Sequence, residues 1–401
     1  MKLRYKATTT DGKFIRGIMD AKDANEAAQY LRSKNMLPIK ISPQGENILS
    51  KYLPFLNKVR SDDVILFTRQ LSSMLSSGLT LLRALQIFKE QIENEAMVEV
   101  TTGIISDIEE GKPFSYAIAK YPEVFSPIYV SLIKAGESSG LLDKVLLRLA
   151  NNLEKEAKLK GTVKSALMYP AIVVTLMIFV LFIMMIFVIP QLSVLYKNLG
   201  VALPLPTQVI VGMSGFIGTF WPIIIILIVV VVFIYKRWRK TEEGQLIVDN
   251  LILKLPVFGK LLSQTIIAEF SRTLGLLIGT GTLVVESLLE AADTTGNIHY
   301  KNAIKDISRQ VEKGVPVGDA MASYTLFPPM LVQLVKIGEQ TGKMDETLTK
   351  ASEYFEGEVN QTVKTLTTAL EPFIMLVLGV GVAFLIISVI TPIYSLISSL
   401  Q

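Results

Sequence analysis

The sequence predicts a mainly α-helical, polytopic membrane protein in which a cytoplasmic helical region followed by a membrane helix occurs twice, preceded by a small α+β module. Three observations predict it. Half of the 401 residues are hydrophobic and the mean hydropathy is +0.44, above the usual range of soluble globular chains. The excess is gathered in charge-free runs at about 165–196, 207–235 and 372–401, each long enough for the ~20 residues that cross ~30 Å of hydrocarbon. The chain also repeats itself. FTRQLSSMLSSGLTLLRAL from Phe67 returns as FSRTLGLLIGTGTLVVESL from Phe270, at a spacing of 203 residues. Gly111-Lys112-Pro113 answers to Gly314-Val315-Pro316. After a one-residue slip, Gly136-Glu137-Ser138-Ser139-Gly140 answers to Gly338-Glu339-Gln340-Thr341-Gly342. Pro170 and Pro190 bracket the first apolar tail as Pro372 and Pro392 bracket the last. Gly and Pro act through backbone geometry, so a register that they hold marks a duplicated structural unit.

Taken in order, residues 3–8, an Asp11-Gly12 turn and residues 14–19 read as a β-hairpin. Asp23 caps a helix with Glu26 three residues on, Ala27, Ala28, Tyr30 and Leu31 supply its apolar stripe, and Asn35 and Pro38 end it. Leu37 to Ile41 returns as a strand. A module of this size is marginal alone and reads as a docking piece. A linker with Pro43, Gly45 and Pro54 follows. From Ser61 to about Lys164 the apolar spacing is helical, with Leu66, Leu71, Met74 and Leu75 on one side of the first helix. Breaks fall at Gly78, Gly111-Lys112-Pro113 and Ser126-Pro127, so about six short helices fit. The last of them carries Glu154, Lys155, Glu156 and Lys158 and runs toward the first span, with Pro170 at the boundary.

Orientation follows from flanking charge. Lys155, Lys158, Lys160 and Lys164 precede the first span and only Lys197 follows it, which places the first helical region in the cytoplasm and the loop near Pro204 and Pro206 outside. Lys236, Arg237, Arg239 and Lys240, with Tyr235 and Trp238, mark a cytoplasmic exit of the second span. Two copies of one region share an orientation only if something brings the chain back between them, and the unpaired middle span does so. The first 40 residues hold no basic-then-apolar leader, so the N-terminus is expected to stay in the cytoplasm and the C-terminus to lie outside. The expected division is an α+β module (1–50), a first bundle (51–164), a span (165–196), an external loop (197–206), a span (207–235), a second bundle (236–370) and a span (371–397).

Composition and motifs narrow the chemistry. A net charge of +4 without a basic block gives no footprint for nucleic acid. With no cysteine there are no disulfides, Fe–S clusters or thiolate zinc sites. Gly338-Glu339-Gln340-Thr341-Gly342-Lys343 is not a phosphate loop: its glycines stand one residue too close, and Met344 occupies the place of the magnesium-binding Ser or Thr. It reads as a helix end, where Gly closes one helix and a short turn opens the next. Glu137 and Glu339 at these corners either cap and pair there or contact another protomer or partner, with Asp143 and Asp345 nearby. Glu371 stands before Pro372 at the mouth of the third span, where the first copy has Tyr169, which argues against a proton carrier. Gly379, Gly381 and Ala383 suit helix packing. The single histidine, His299, reads as a surface residue near a helix start, and Gly279-Thr280-Gly281 lacks the third Gly of a dinucleotide motif.

These residues together resemble one family, the inner-membrane platform proteins of type II secretion and type IV pilus machines, the general secretion pathway protein F and PilC group. The resemblance covers nearly the whole chain. It rests on Phe67-Thr68-Arg69-Gln70-Leu71 with Gly78, on Phe270-Ser271-Arg272-Thr273-Leu274 with Gly281, and on both Gly-Glu corners. Leu203-Pro204-x-Pro206-Thr207, Leu255-Pro256-Val257-Phe258-Gly259 and Glu371-Pro372 complete it. The resemblance implies two cytoplasmic six-helix bundles, an oligomer, and a non-enzymatic adaptor beneath a growing fibre. A hexameric cytoplasmic ATPase would act on it to move pilin or pseudopilin subunits from the membrane lipid into the fibre base, alongside other inner-membrane assembly proteins. It also carries a possible calcium site to Glu137 and Asp143, although two oxygen ligands do not define one. The residues expected at partner or oligomer contacts are Arg69, Gly136, Glu137, Gly140, Arg272, Gly338, Glu339, Gly342 and Glu371. The competing readings are a transporter or channel subunit and, behind it, a membrane enzyme; the spans offer almost no ionisable or broken-helix site for the former.

Overall fold

The computed structural model describes residues 2–9, 14–43, 58–188, 190–191, 194 and 205–399. The Asp11-Gly12 turn, the Gly45 and Pro54 linker and the loop around Lys197 and Pro204 lie outside them. The chain forms two compact units, Met1–Ser126 and Pro127–Gln401.

The first unit opens with β1 (Lys2–Thr9), β2 (Phe14–Asp20), α1 (Ala24–Ser33) and β3 (Met36–Pro43). β1 is the centre of an antiparallel sheet of order β2-β1-β3. Period-two alternation buries Leu3 and Ala7, and Leu3 packs with Ala21 and Ala27. Tyr5 pairs with Gly17, where an added Cβ would fall 2.7 Å from the Tyr5 hydroxyl. The cap of α1 is as predicted: Asp23 accepts from the Glu26 N–H at 2.7 Å, and Glu26 accepts from that of Lys22 at 2.6 Å.

Helices α2 (Ser61–Ser76), α3 (Leu81–Gln91), α4 (Glu95–Glu109) and α5 (Phe114–Ala119) follow. Phe67 organises them, with its ring edge-on to Phe88 at 5.1 Å and tilted against Phe125 at 5.5 Å. The buried face of α2 runs through Phe67, Thr68, Leu71 and Ser72. Of the predicted stripe Leu71 is buried and Met74 and Leu75 are half-buried, but Leu66 is 48% exposed, because the aromatic ring, the largest apolar group, centres the face one residue on. Gly78 and Gly111 end α2 and α4 with φ of +87° and +82°, at the predicted breaks.

The second unit contains α6 (Pro127–Ser139), α7 (Leu142–Ile183, continuing as a π-turn at Met184–Val188), α8 (Leu205–Trp238), α9 (Glu242–Lys254) and α10 (Phe258–Gly279). It continues with α11 (Val284–Thr294), α12 (Ile298–Glu312), α13 (Val317–Ala322), α14 (Pro329–Thr341) and α15 (Met344–Ser399). Phe270, Leu274, Ile304, Met321, Leu331 and Leu348 share one core, which Leu159 of α7 joins. The duplication persists in the packing. Phe270 meets Phe327 at 6.0 Å, as Phe67 meets Phe125. Where the first copy has Phe88 and Met97, the second has Ala291 and Tyr300, and Tyr300 now stands edge-on to Phe327 at 6.0 Å. Volume lost at one position returns at another.

Membrane crossing falls to α7, α8 and α15. The most apolar windows of α7 and α15 are 0% and 11% buried within the chain, and α8 is exposed at every position from Ile226 to Tyr235. α10 is also long and apolar enough by composition, but 56% of its window is buried and it carries Lys260, Glu269 and Arg272, so it is a bundle core helix. α7, with 42 residues, is about 63 Å long and α15, with 56, about 84 Å, so each fuses a bundle helix to a span. α7 runs unbroken through Pro170.

Candidate functional site

The two Gly-Glu corners are built alike, and their glycines serve different ends. Gly140 and Gly342 take φ of +70° and +66°, the left-handed conformation that closes a helix. The carbonyls of Gly136 and Gly338 accept from the N–H groups of Leu141 and Lys343, each at 2.9 Å, completing the cap. Gly136 and Gly338 are buried where the antiparallel helices come closest. A Cβ at 136 would lie 2.9 Å from the Val145 side chain, and one at 338 would lie 2.1 Å from Thr347 Oγ1 and 2.9 Å from Met344 Cα.

Glu137 and Glu339 lie in the last turns of α6 and α14, not in the connecting turns. The Glu339 carboxylate accepts from the backbone N–H of Val317 at 2.8 Å and of Gly318 at 3.2 Å, capping α13. Gly318 lets α13 approach the Lys336 backbone, which stands 3.2 Å from an ideal Cβ there. In its second copy the corner is a joint that fixes α13 on α14. Among the described residues no three His, Cys, Asp or Glu side chains come together for a metal. Glu137 and Asp143 alone do not make up the roughly six to eight oxygens that calcium takes.

Beside the second corner, α7, α10 and α15 enclose a cleft of about 770 Å³. Its walls hold Arg148, Lys155, Lys158, Arg272 and Lys350 against Glu154, Asp345, Glu346 and Glu353. At its floor Gly275 lets α10 and α15 pack closely, since a Cβ there would meet Leu348 at 3.1 Å. Arg148 Nη1 donates to the Gly279 carbonyl at 2.6 Å, at the negative end of α10. Lys155 pairs with Glu353 at 3.0 Å. Arg272, only 9% exposed, donates to Glu356 at 2.5 Å, and its Nε has no partner among the described residues. Deeper along α7, Lys160 pairs with Glu156 at 2.5 Å and approaches Glu269 to 4.0 Å. Burial outweighs that lysine and holds the Glu269 carboxyl above its usual range. Arg272 is the one predicted contact residue inside the cleft. Arg69 belongs to the first unit, and Glu371 is exposed on α15. Arg148, Asn152, Glu353 and Glu356 carry no motif, and the charge-rich run from Glu154 to Lys158 is the signal in the sequence that points to this cleft.

The sequence matches the type II secretion system protein F family over residues 67–190 and again over 270–392, and the N-terminal domain of that family over 4–42. The chain belongs to this family. Its two matches coincide with the two copies of the repeat. The chain is 35% identical to the type IV pilus assembly protein PilC of Thermus thermophilus, over 99% of this chain and 98% of that protein. It is 35% identical to the type IV pilus assembly protein TapC of Aeromonas hydrophila, covering 98% and 95%. With the type II secretion system protein F of Xanthomonas campestris it shares 30%, covering 99% of each. The expected family and the mainly α fold with its duplicated domain are therefore borne out, and α7 and α15 are among the helices long and apolar enough to cross a membrane.

Proposed function

We propose that the chain is the platform of a bacterial type IV pilus or type II secretion machine in the inner membrane, with its N-terminus in the cytoplasm and its C-terminus outside. The carrying observation is a bundle helix fused to a span in each copy of the repeat, within a family whose named members assemble pili or secrete proteins. Two cytoplasmic bundles, 51–164 and 236–370, would receive the push of a hexameric ATPase, and the spans would pass it to pilin or pseudopilin in an oligomer of this chain. The mixed charge of the cleft favours a protein partner over a small substrate. The chain then catalyses no reaction itself. The higher identity to the two pilus proteins directs the reading toward pili.

Deletion of the gene, scored in parallel for surface pili and for secreted proteins, tests this reading. Loss of pili supports it, and loss of neither overturns it. Solute flux through the purified, reconstituted chain alone would favour a transporter. Charge reversal at Lys155 and Lys350 is expected to abolish capture of the ATPase while membrane insertion persists. Calcium rests on Glu137 and Asp143 alone, and a titration that leaves the melting temperature unmoved removes it.

A further inference from the structure

Helix α9 turns an apolar face outward. Its inner face is fixed to the bundle: Gly244, Val248 and Asp249 are buried, Asp249 accepts from the Ile298 N–H at 2.9 Å, and the Leu246 carbonyl lies 3.1 Å from His299 Nε2. On the outer side Ile247, Leu251 and Leu255 fall at every fourth position, and Ile247 and Leu251 are 58% and 63% exposed. The turn that follows extends this line. Val257 has φ +66° and ψ −52°, and Phe258 N–H bonds back to the Pro256 carbonyl at 2.8 Å, a γ-turn that a β-branched residue rarely adopts. Gly259 is buried beneath it, where a Cβ would lie 2.0 Å from the Leu253 carbonyl oxygen. A strained backbone therefore presents Val257 and Phe258 to the outside, both exposed, beside the apolar line.

The position of α9 says what covers that face. Only Arg239, Lys240 and Thr241 separate it from the end of α8, where exposed Tyr235 and Trp238 mark the level of a bilayer surface. Lys236, Arg237, Arg239 and Lys240 stand at that end, and Lys254 and Lys260 flank the γ-turn. Glu242 and Glu243 in the first turn of α9 offset only part of this charge. An apolar line bordered by cations, continuous with a span, is the pattern of a helix lying in the interface of an anionic bilayer. We infer that α9 and the Leu255–Phe258 turn form a foot that holds the second bundle down on the anionic phospholipid surface from which α8 emerges. This inference rests on α8 crossing the membrane.

The chain has no cysteine, so single Cys variants of the full-length protein report one position each. Leu227→Cys, Leu251→Cys, Phe258→Cys and Glu312→Cys, labelled with an environment-sensitive fluorophore, are reconstituted in vesicles of phosphatidylcholine with or without phosphatidylglycerol. Quenching is then measured with spin-labelled acyl chains and with aqueous iodide. Position 312 lies about 20 Å along α12 from the contact with α9 and serves as the aqueous control. Positions 251 and 258, seated about 5–10 Å into the headgroup boundary, should show several-fold stronger lipid quenching than 312 and the reverse order with iodide. The contrast should grow with phosphatidylglycerol and collapse in Ile247→Asn/Leu251→Asn chains read at 258. Lipid quenching at 227 with iodide quenching at 251 and 258 overturns the foot and leaves the span intact. Protection at 251 from both quenchers, in vesicles and in detergent alike, also overturns it, because protein then covers the face. No lipid quenching at 227 would sink the membrane reading itself.

Discussion

Replacing Glu339 by Ala strips both acceptors from the start of α13. Its carboxylate takes the N–H groups of Val317 and Gly318 at 2.8 and 3.2 Å, with the positive end of the helix behind them. A hydrogen bond to a charged group contributes roughly 1.5–3 kcal/mol, and loss of a helix cap costs about 0.5–2 kcal/mol. The group is half-buried and one bond is long, so the lower parts of those ranges apply and the expected loss is about 2–3 kcal/mol. Glu339→Gln keeps one acceptor oxygen and turns an amide NH₂ toward the other N–H, for a loss of about 1–2 kcal/mol. In a unit of this size the Ala variant should melt roughly 5–10 °C below the parent, with Gln between them. The assay is thermal unfolding of the full chain in detergent, followed by far-ultraviolet circular dichroism. An Ala variant that melts with the parent yet no longer captures its partners would refute the reasoning, because the carboxylate would then be a docking group.

Further outcomes follow from the same contacts. Gly338→Ala forces a methyl group onto Thr347 and Met344 and should cost about 1–3 kcal/mol in chemical denaturation, with Thr347→Ala recovering part of it. Gly136→Ala, where the nearest backbone atom stands at 3.4 Å instead of 2.9 Å, should cost less. Because burial raises the Glu269 carboxyl, the folded state holds its proton more tightly than the unfolded one. Its contribution to stability is full near and below the unfolded value of about 4.5 and is lost as pH rises through the folded one. Glu269→Gln should therefore melt above the parent at neutral pH, with the gap closing as pH falls toward 4.5; a gap independent of pH would contradict this. Glu356→Ala strands the buried Arg272 and should cost about 3 kcal/mol, whereas Arg272→Met with Glu356→Leu should restore most of it.

Features written in local backbone geometry were legible in the sequence. Gly78, Gly111, Gly140 and Gly342 announced helix ends because a positive φ is where glycine is at ease. The spans were legible because a bilayer demands long runs without charge. Long-range partners were not. Nothing near Arg272 points to Glu356, 84 residues on, and nothing near Glu339 points to the amides of Val317 and Gly318. Hydropathy by itself misleads at α10, where an apolar helix is buried by protein rather than lipid. The Leu66 error has a similar origin, since spacing gives the width of a face and only packing gives its centre.

Pro170 and Pro372 occupy one register in α7 and α15, and each lacks the N–H that would bond the carbonyl four residues back, at Ala166 and at Thr368. A helix resists bending along its length through that ladder of bonds, so on its bundle side each of these long rods is most compliant at this missing rung. The two weak points lie at matching distances from their corners, like two masts stepped through one deck. A turning moment applied to either bundle would flex its rod at that level first, and the segment beyond would keep its tilt until the rung was fully bent.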